Sequence, residues 1–237
     1  MNKTTTSTIL ITGANRGIGL EFATQFAADN WRIIACCRQP DHAESLRTLK
    51  NIHGDQLLVH KLDLSDFTAI DQLADTLHQE SIDLIINNAG IYPPAQQGEF
   101  GHINYDAWLE ALRINTLAPL KMAEAFVAQL ERSRLKMLAI ITSKMGSIAD
   151  NGRGGSYPYR TSKAAVNMVA RSLAIDLAPR HITTILLHPG WVQTRMGGSG
   201  AQISAKQSVT GMRAVLNRIT PDDSGKFFAY DGQSIPW

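Results

Sequence analysis

The sequence predicts an α/β chain: a doubly wound parallel sheet of about seven strands with helices on both faces. Strand-like and helix-like patterns alternate from one end to the other. The strand segments carry Val, Ile and Leu on both faces, as parallel strands covered by helices require. No internal repeat or low-complexity linker interrupts the alternation, so 1–237 reads as a single domain. With 44% hydrophobic residues, a chain of 237 can bury a sizeable core.

The elements follow in order. A short apolar run, Ser7–Thr12, forms the first strand, and a helical pattern follows from Gly17 to Asp29. Trp31–Cys37 is the second strand, with a short helix over Ala43–Lys50. Gln56–Leu62 is the third, with a helix over Phe67–Gln79. Ile82–Asn87 is the fourth, and a long helical pattern covers Asp106–Glu131. Lys136–Thr142 is the fifth, and Ala-rich Tyr157–Leu177 is again helical. Ile182–His188 is the sixth strand, and a last helix over Ala205–Asn217 precedes a seventh at Lys226–Tyr230. Two loops, Ile91–Ile103 and Gly190–Ser204, are long for such a fold. Both follow strand C-termini, where open α/β sheets bind ligands.

Bulk properties exclude several functions. A formal charge of +2, with no basic stripe, argues against nucleic acid or a membrane surface as partner. No stretch reaches the roughly 20 apolar residues of a spanning helix, and "MNKTTTST" has no apolar signal core. Cys36 and Cys37 are neighbours in a strand and point to opposite faces, so they are expected as reduced, buried thiols. A cytoplasmic protein without a metal site is the expectation.

The first turn carries chemistry. "TGANRGIG" places Gly13, Gly17 and Gly19 between the first strand and the first helix. Glycine there permits a tight turn and lets helix N-terminal amides approach a pyrophosphate. The alternative is a tight turn with no ligand. The end of strand two chooses between dinucleotides: an acid would hold the 2′-hydroxyl of NAD, but Arg38 stands there. Arg16 lies in the glycine loop, and two guanidinium groups suit the 2′-phosphate of NADP(H). Asp63, after strand three, either accepts from an adenine amino group or caps a turn.

A second group lies further along. Tyr159 and Lys163 are four residues apart and share a helix face. The ammonium is expected to favour the phenolate and lower the tyrosine pKa, preparing it to trade protons with a carbonyl or alcohol. Tyr157 is a competing phenol, but Thr161 stands where its lysine would be. Ser143 closes strand five at the ligand edge, with Ser147 a second hydroxyl in the same loop. Such a hydroxyl donates to an oxygen as charge grows on it. Asn115 lies four residues before Pro119, whose missing N–H leaves the Asn115 carbonyl without its helical partner. A kink and an exposed acceptor are expected there, with room for an ordered water beside Lys163.

Taken together, "TGANRGIG", "NNAG" (Asn87–Gly90), Asn115, Ser143, Tyr159/Lys163 and "HPGWVQT" (His188–Thr194) resemble, in order, the short-chain dehydrogenase/reductase family. The tail "YDGQSIPW" and the loop "IYPP" are similar to its carbonyl-reductase branch, which includes C-factor-type proteins. The resemblance spans nearly the whole chain and implies a Rossmann fold that binds NADP(H). It implies reduction of a carbonyl to an alcohol, or the reverse, with Asn115, Ser143, Tyr159 and Lys163 catalytic. It assigns cofactor contacts to Gly13, Asn15, Arg16, Gly17, Ile18, Gly19, Arg38, Asp63 and Leu64. To these it adds Asn88, Ala89, Gly90, Tyr159, Lys163, Pro189, Gly190, Val192 and Thr194. Thr194 would meet the nicotinamide carboxamide. Ser143 and Tyr159 are 16 apart, a few residues more than the family usually has, and "GRGGS" (Gly152–Ser156) is the excess.

The partner implied is a small carbonyl or alcohol. Tyr92, Pro93, Pro94, Trp191, Met196 and Trp237 are candidate walls of an apolar pocket, or simply loop packing. The two long helices are candidate surfaces for a homodimer or homotetramer. An NADP(H)-binding regulatory protein with little turnover is the alternative reading.

Overall fold

The computed structural model describes residues 6–94 and 97–237. The expectations for the first five residues, and the tip of the first long loop, lie outside that range. Seven strands form one parallel sheet: β1 (Thr8–Thr12), β2 (Arg32–Cys37), β3 (Leu57–Lys61), β4 (Leu84–Asn87), β5 (Met137–Ile141), β6 (Thr183–His188) and β7 (Phe227–Ala229). Their order is β3-β2-β1-β4-β5-β6-β7. Ile9 of β1 lies opposite Ile33 of β2 and Leu84 of β4. The predicted fold class is the observed one.

Strand alternation sends side chains to two cores. Ile9, Ile11, Ile33, Ile86 and Leu187 pack on one face against Phe22 and Phe26 of α1 (Gly17–Ala28), Leu46 of α2 (Glu44–His53) and Met212 of α7 (Ala205–Arg218). Leu10, Ile34, Ile85, Leu138 and Leu186 pack on the other. There they meet Ile70 of α3 (Phe67–Thr76), Phe126 of α5 (Ala118–Glu131) and Val166 of α6 (Tyr157–Asp176). Phe22 and Phe126 are fully buried, and burying such a ring contributes about 1.5–3 kcal/mol.

The long helical pattern after β4 is not one α-helix. α4 (Tyr105–Leu112) passes into a π-turn over Arg113–Leu117 before α5 begins. The Ala118 N–H reaches back five residues to the Arg113 carbonyl. Pro119 has no N–H to offer, and the chain widens by one residue there instead of simply kinking. From β1 the chain runs outward to β2 and β3, then returns across the sheet to β4. That reversal opens a crevice at the C-terminal ends of β1 and β4. Among the described residues, no helix is long and apolar enough to cross a membrane.

Candidate active site

A cavity of about 920 Å³ occupies this crevice. Gly13, Asn15, Arg16, Gly17, Ile18, Gly19, Arg38, Asp63, Leu64, Asn88, Ala89 and Gly90 line one part of it. Gly13 and Gly17 have φ of 67° and 54°, the left-handed region that favours glycine. A Cβ on Gly19 would lie 2.2 Å from the Gly13 carbonyl oxygen. These glycines let α1 begin at the cavity floor.

α1 begins without a side-chain cap, as α2, α5 and α6 do, whereas three other helices are capped. Asp66, Asn104 and Ser204 cap α3, α4 and α7 by accepting amide hydrogen bonds. No side chain caps α1, and its first residues line the cavity. Uncapped amides at the positive end of a helix form an anion site. Arg16 and Arg38 stand beside it, exposed and in no ion pair among the described residues. The site therefore fits a dinucleotide with an extra phosphate on the adenosine ribose. Asp63 accepts from the Ser65 N–H at 2.9 Å and the Ser65 hydroxyl at 2.8 Å, so it makes the turn while lining the cavity. Burial opposes its ionisation, but these bonds, with Arg38 and Lys61 nearby, hold its carboxyl below the ordinary value.

The segment Asn87–Gly90 binds strand to strand. The Asn88 and Ala89 N–H groups donate to Thr12 Oγ1 at 3.0 and 3.1 Å, and Asn88 Nδ2 donates to the Thr12 carbonyl at 2.8 Å. Asn115 carries the fixation onward. Its Oδ1 accepts from the Ile91 N–H at 2.8 Å, and its Nδ2 donates to the Ile91 carbonyl and to Ser162 Oγ. The π-turn thereby ties the loop after β4 to α6.

At the other end α6 presents Tyr159 and Lys163 to the cavity. Lys163 Nζ lies 5.8 Å from the centre of the Tyr159 ring and donates to the Ile141 carbonyl at 2.9 Å. The expected lowering of the Tyr159 pKa is not what this arrangement produces. Burial pushes the phenol up to about 12, the Ser143 hydroxyl pulls it partly down, and Tyr92 raises it. Burial also drops Lys163 to about 8. Desolvation outweighs the amine's attraction here, because the amine is turned onto a backbone carbonyl. Tyr157 is exposed and takes no part in the cavity.

Of the two hydroxyls, Ser143 acts on Tyr159, while Ser147 donates to the Trp237 carbonyl oxygen at 3.2 Å and accepts from the Asp150 N–H. Ser143 and Asn115 border the cavity without lining it. Pro189 and Thr194 line it. Gly190 and Val192 do not: Gly190 turns at φ 84° against Ile203, and buried Val192 bridges to Ile203, so both shape the loop instead. Tyr92, Pro93, Pro94 and Met196 line the cavity as expected. Trp191 and Trp237 do not: the Trp191 indole donates to the Gly197 carbonyl, and the Trp237 ring stacks on Phe227 at 6.0 Å. Both are loop packing. Arg195, Gln193, Thr142 and both free cysteines also line the cavity and escaped the sequence reading. Their only signal was adjacency to Arg38, Ser143 and Thr194.

A glycine turn and a Tyr–Lys pair at opposite ends of one crevice match a known pattern. The short chain dehydrogenase family model matches residues 7–203. The chain belongs to the short-chain dehydrogenase family. C-signal of Myxococcus xanthus is 44% identical over 156 residues, covering 66% of this chain and 93% of that protein. A 1-hydroxy-2-glutathionyl-2-methyl-3-butene dehydrogenase of Rhodococcus is 31% identical, covering 98% of this chain and 100% of its own. Among solved structures, the NADPH-bound carbonyl reductase from chicken fatty liver superposes with a TM-score of 0.91. It is 33% identical, with 98% of this chain and 99% of that one covered. Membership of the short-chain dehydrogenases makes this chain an oxidoreductase acting on CH–OH or C=O groups.

Proposed function

We propose that the chain reduces a carbonyl to an alcohol, or catalyses the reverse, with NADP(H) as cofactor and Tyr159 as the general acid/base. One observation carries the reading: an uncapped helix start flanked by two arginines in no ion pair among the described residues shares one cavity with half-buried Tyr159 and buried Lys163. NADP(H), when bound, supplies or accepts the hydride. Arg16 and Arg38 would hold the 2′-phosphate, and the α1 amides the pyrophosphate. Arg195 adds a third cation along the same wall.

The chemistry of Tyr159 follows from its surroundings. Tyr159 is protonated at neutral pH and can donate to a carbonyl oxygen, although burial, which raises its phenol to about 12, makes it a weaker acid. Ser143 can donate to the same oxygen as negative charge gathers on it. Lys163, at about 8, carries its charge below that pH and would stabilise the tyrosinate left behind and hold the nicotinamide ribose of a bound cofactor. Asn115 holds the Ile91 backbone so that the wall opposite Tyr159 does not move. The apolar side chains of Tyr92, Pro93, Pro94 and Met196 suit a carbonyl with an apolar substituent. Exposed Leu109 on α4 and Met168 on α6 favour self-association through those helices, which sedimentation would detect.

The test is NADPH oxidation against a panel of ketones and aldehydes. Tyr159→Phe should lower kcat by on the order of 10²–10⁴ while NADPH still binds. The similarity to C-signal favours a second reading, a regulatory protein that binds NADP(H). Tight NADPH binding without turnover on any carbonyl would select it.

A further inference from the structure

The segment Gly152–Ser156, between Ser143 and Tyr159, forms a bracket that reaches the loop after β4. Gly154, Gly155 and Ser156 are left-handed in succession, with φ of 66°, 61° and 49°. Two of the three are glycine, and the third is held by its partners. At Gly155 φ is +61°, and a Cβ there would fall 2.5 Å from a Glu99 carboxylate oxygen, so any other residue would be strained and would push Glu99 aside. Glu99 Oε1 then accepts from the Ser156 N–H at 3.3 Å, and the Gly98 carbonyl accepts from the Tyr157 N–H at 3.0 Å. These bonds turn the Ser156 side chain toward the loop, where its Oγ lies 2.8 Å from the Tyr92 hydroxyl.

Held at its hydroxyl, Tyr92 lays its ring on Tyr159. The centroids are 4.4 Å apart and the planes meet at 39°. Behind the pair, Pro93, Gly98 and Pro158 leave a void of only about 10 Å³, too small for a substrate group. The Tyr159 ring is thus bounded by Tyr92 on one side and approached by Lys163 Nζ at 5.8 Å.

We propose that Tyr92, anchored through Ser156 by the Gly152–Ser156 segment, is a positioning residue that fixes the Tyr159 ring on the substrate side. The inference rests on the reading of Tyr159 as general acid/base. A phenol that must reach one carbonyl oxygen loses rate when its ring can swing. Burial raises the phenol's pKa, and Tyr92 adds to that rise, opposing Ser143. Lys163 is the charged group facing the ring, and the Glu99 carboxylate accepts from the Ser156 N–H.

Three variants test this: Tyr92→Phe keeps the ring and drops the anchor, Ser156→Ala drops the same bond from the other side, and Tyr92→Leu removes the ring. Tyr92→Leu should lower kcat on the order of tenfold, and each single loss of the anchor by about two- to fivefold, with the KM for NADPH unchanged. The Tyr92→Phe, Ser156→Ala double variant should be no worse than either single one. Ultraviolet difference titration, with Tyr159→Phe as blank, should show Tyr159 ionising at lower pH in Tyr92→Leu than in wild type. Melting curves confirm that each variant folds. An unchanged kcat and titration in Tyr92→Leu, or a change confined to the KM of the carbonyl, would overturn the proposal. If instead Tyr159→Phe retained full activity, the acid/base reading would fail, and the titration would still report whether Tyr92 holds the ring.

Discussion

The two ends of the cavity are made of different materials. The end proposed for the dinucleotide is backbone: left-handed Gly13 and Gly17, the uncapped start of α1, and strand ends joined through Thr12 and Asn88. The end proposed for the carbonyl is side chain against side chain: Tyr92 on Tyr159 and Tyr92 to Ser156. The first is rigid because the sheet is rigid and leaves no room for a Cβ. The second is held by a few bonds between loops and helix α6, each replaceable without disturbing a strand. Binding of a common cofactor and choice of a particular substrate are thereby separated in space.

The largest break in this comparison should come from Gly19→Val. Its Cβ would meet the Gly13 carbonyl at 2.2 Å and Asn88 Nδ2 at 2.5 Å, both parts of the frame. NADPH binding measured by fluorescence should fall by more than about 100-fold, with a lowered Tm, since overpacking typically costs about 1–3 kcal/mol and more against backbone. Arg16→Ala with Arg38→Ala should come next. Loss of charge-assisted bonds worth about 1.5–3 kcal/mol weakens NADPH by roughly 10- to 100-fold and leaves NADH nearly unchanged. A parallel loss for both would place those arginines elsewhere.

Asn115→Ala sharpens the boundary between the ends. It strands the Ile91 N–H and carbonyl and should cost about 1–3 kcal/mol in denaturant melts, with kcat falling more than NADPH affinity. The last test concerns His188, at the end of β6. Burial lowers its pKa to about 4 from 6.5. Between those values the unfolded chain takes a proton that the folded one refuses, so stability should fall as pH drops from 6.5 toward 4. His188→Gln should flatten that part of the Tm–pH curve.

Much of this was legible in the sequence because it is local. Strand patterns, the glycine turn and Arg38 at a strand end are each carried by a few adjacent residues. The electrostatics of Tyr159 were not legible. A four-residue spacing brings Lys163 to the same helix face but says nothing of the burial that outweighs it, nor of the Ile141 carbonyl that holds the amine. Pro119 marked an interruption, yet whether a helix bends or widens there depends on what packs beside it. Trp191 and Trp237 looked like pocket walls because they are large and apolar, and only tertiary placement sends them to Gly197 and Phe227. Arg195 was overlooked because the segment's hydrogen bonds, such as the Gln193 N–H to the Ile203 carbonyl, set which way it faces.

The π-turn at Arg113–Leu117 acts as a phase shifter. One surplus residue advances everything downstream by about 100° around the helix axis. With that offset, Trp108 and Thr116 both address α6 while Phe126 points into the sheet. Deleting any single residue from the turn would remove that offset and aim one of its halves at the wrong neighbour.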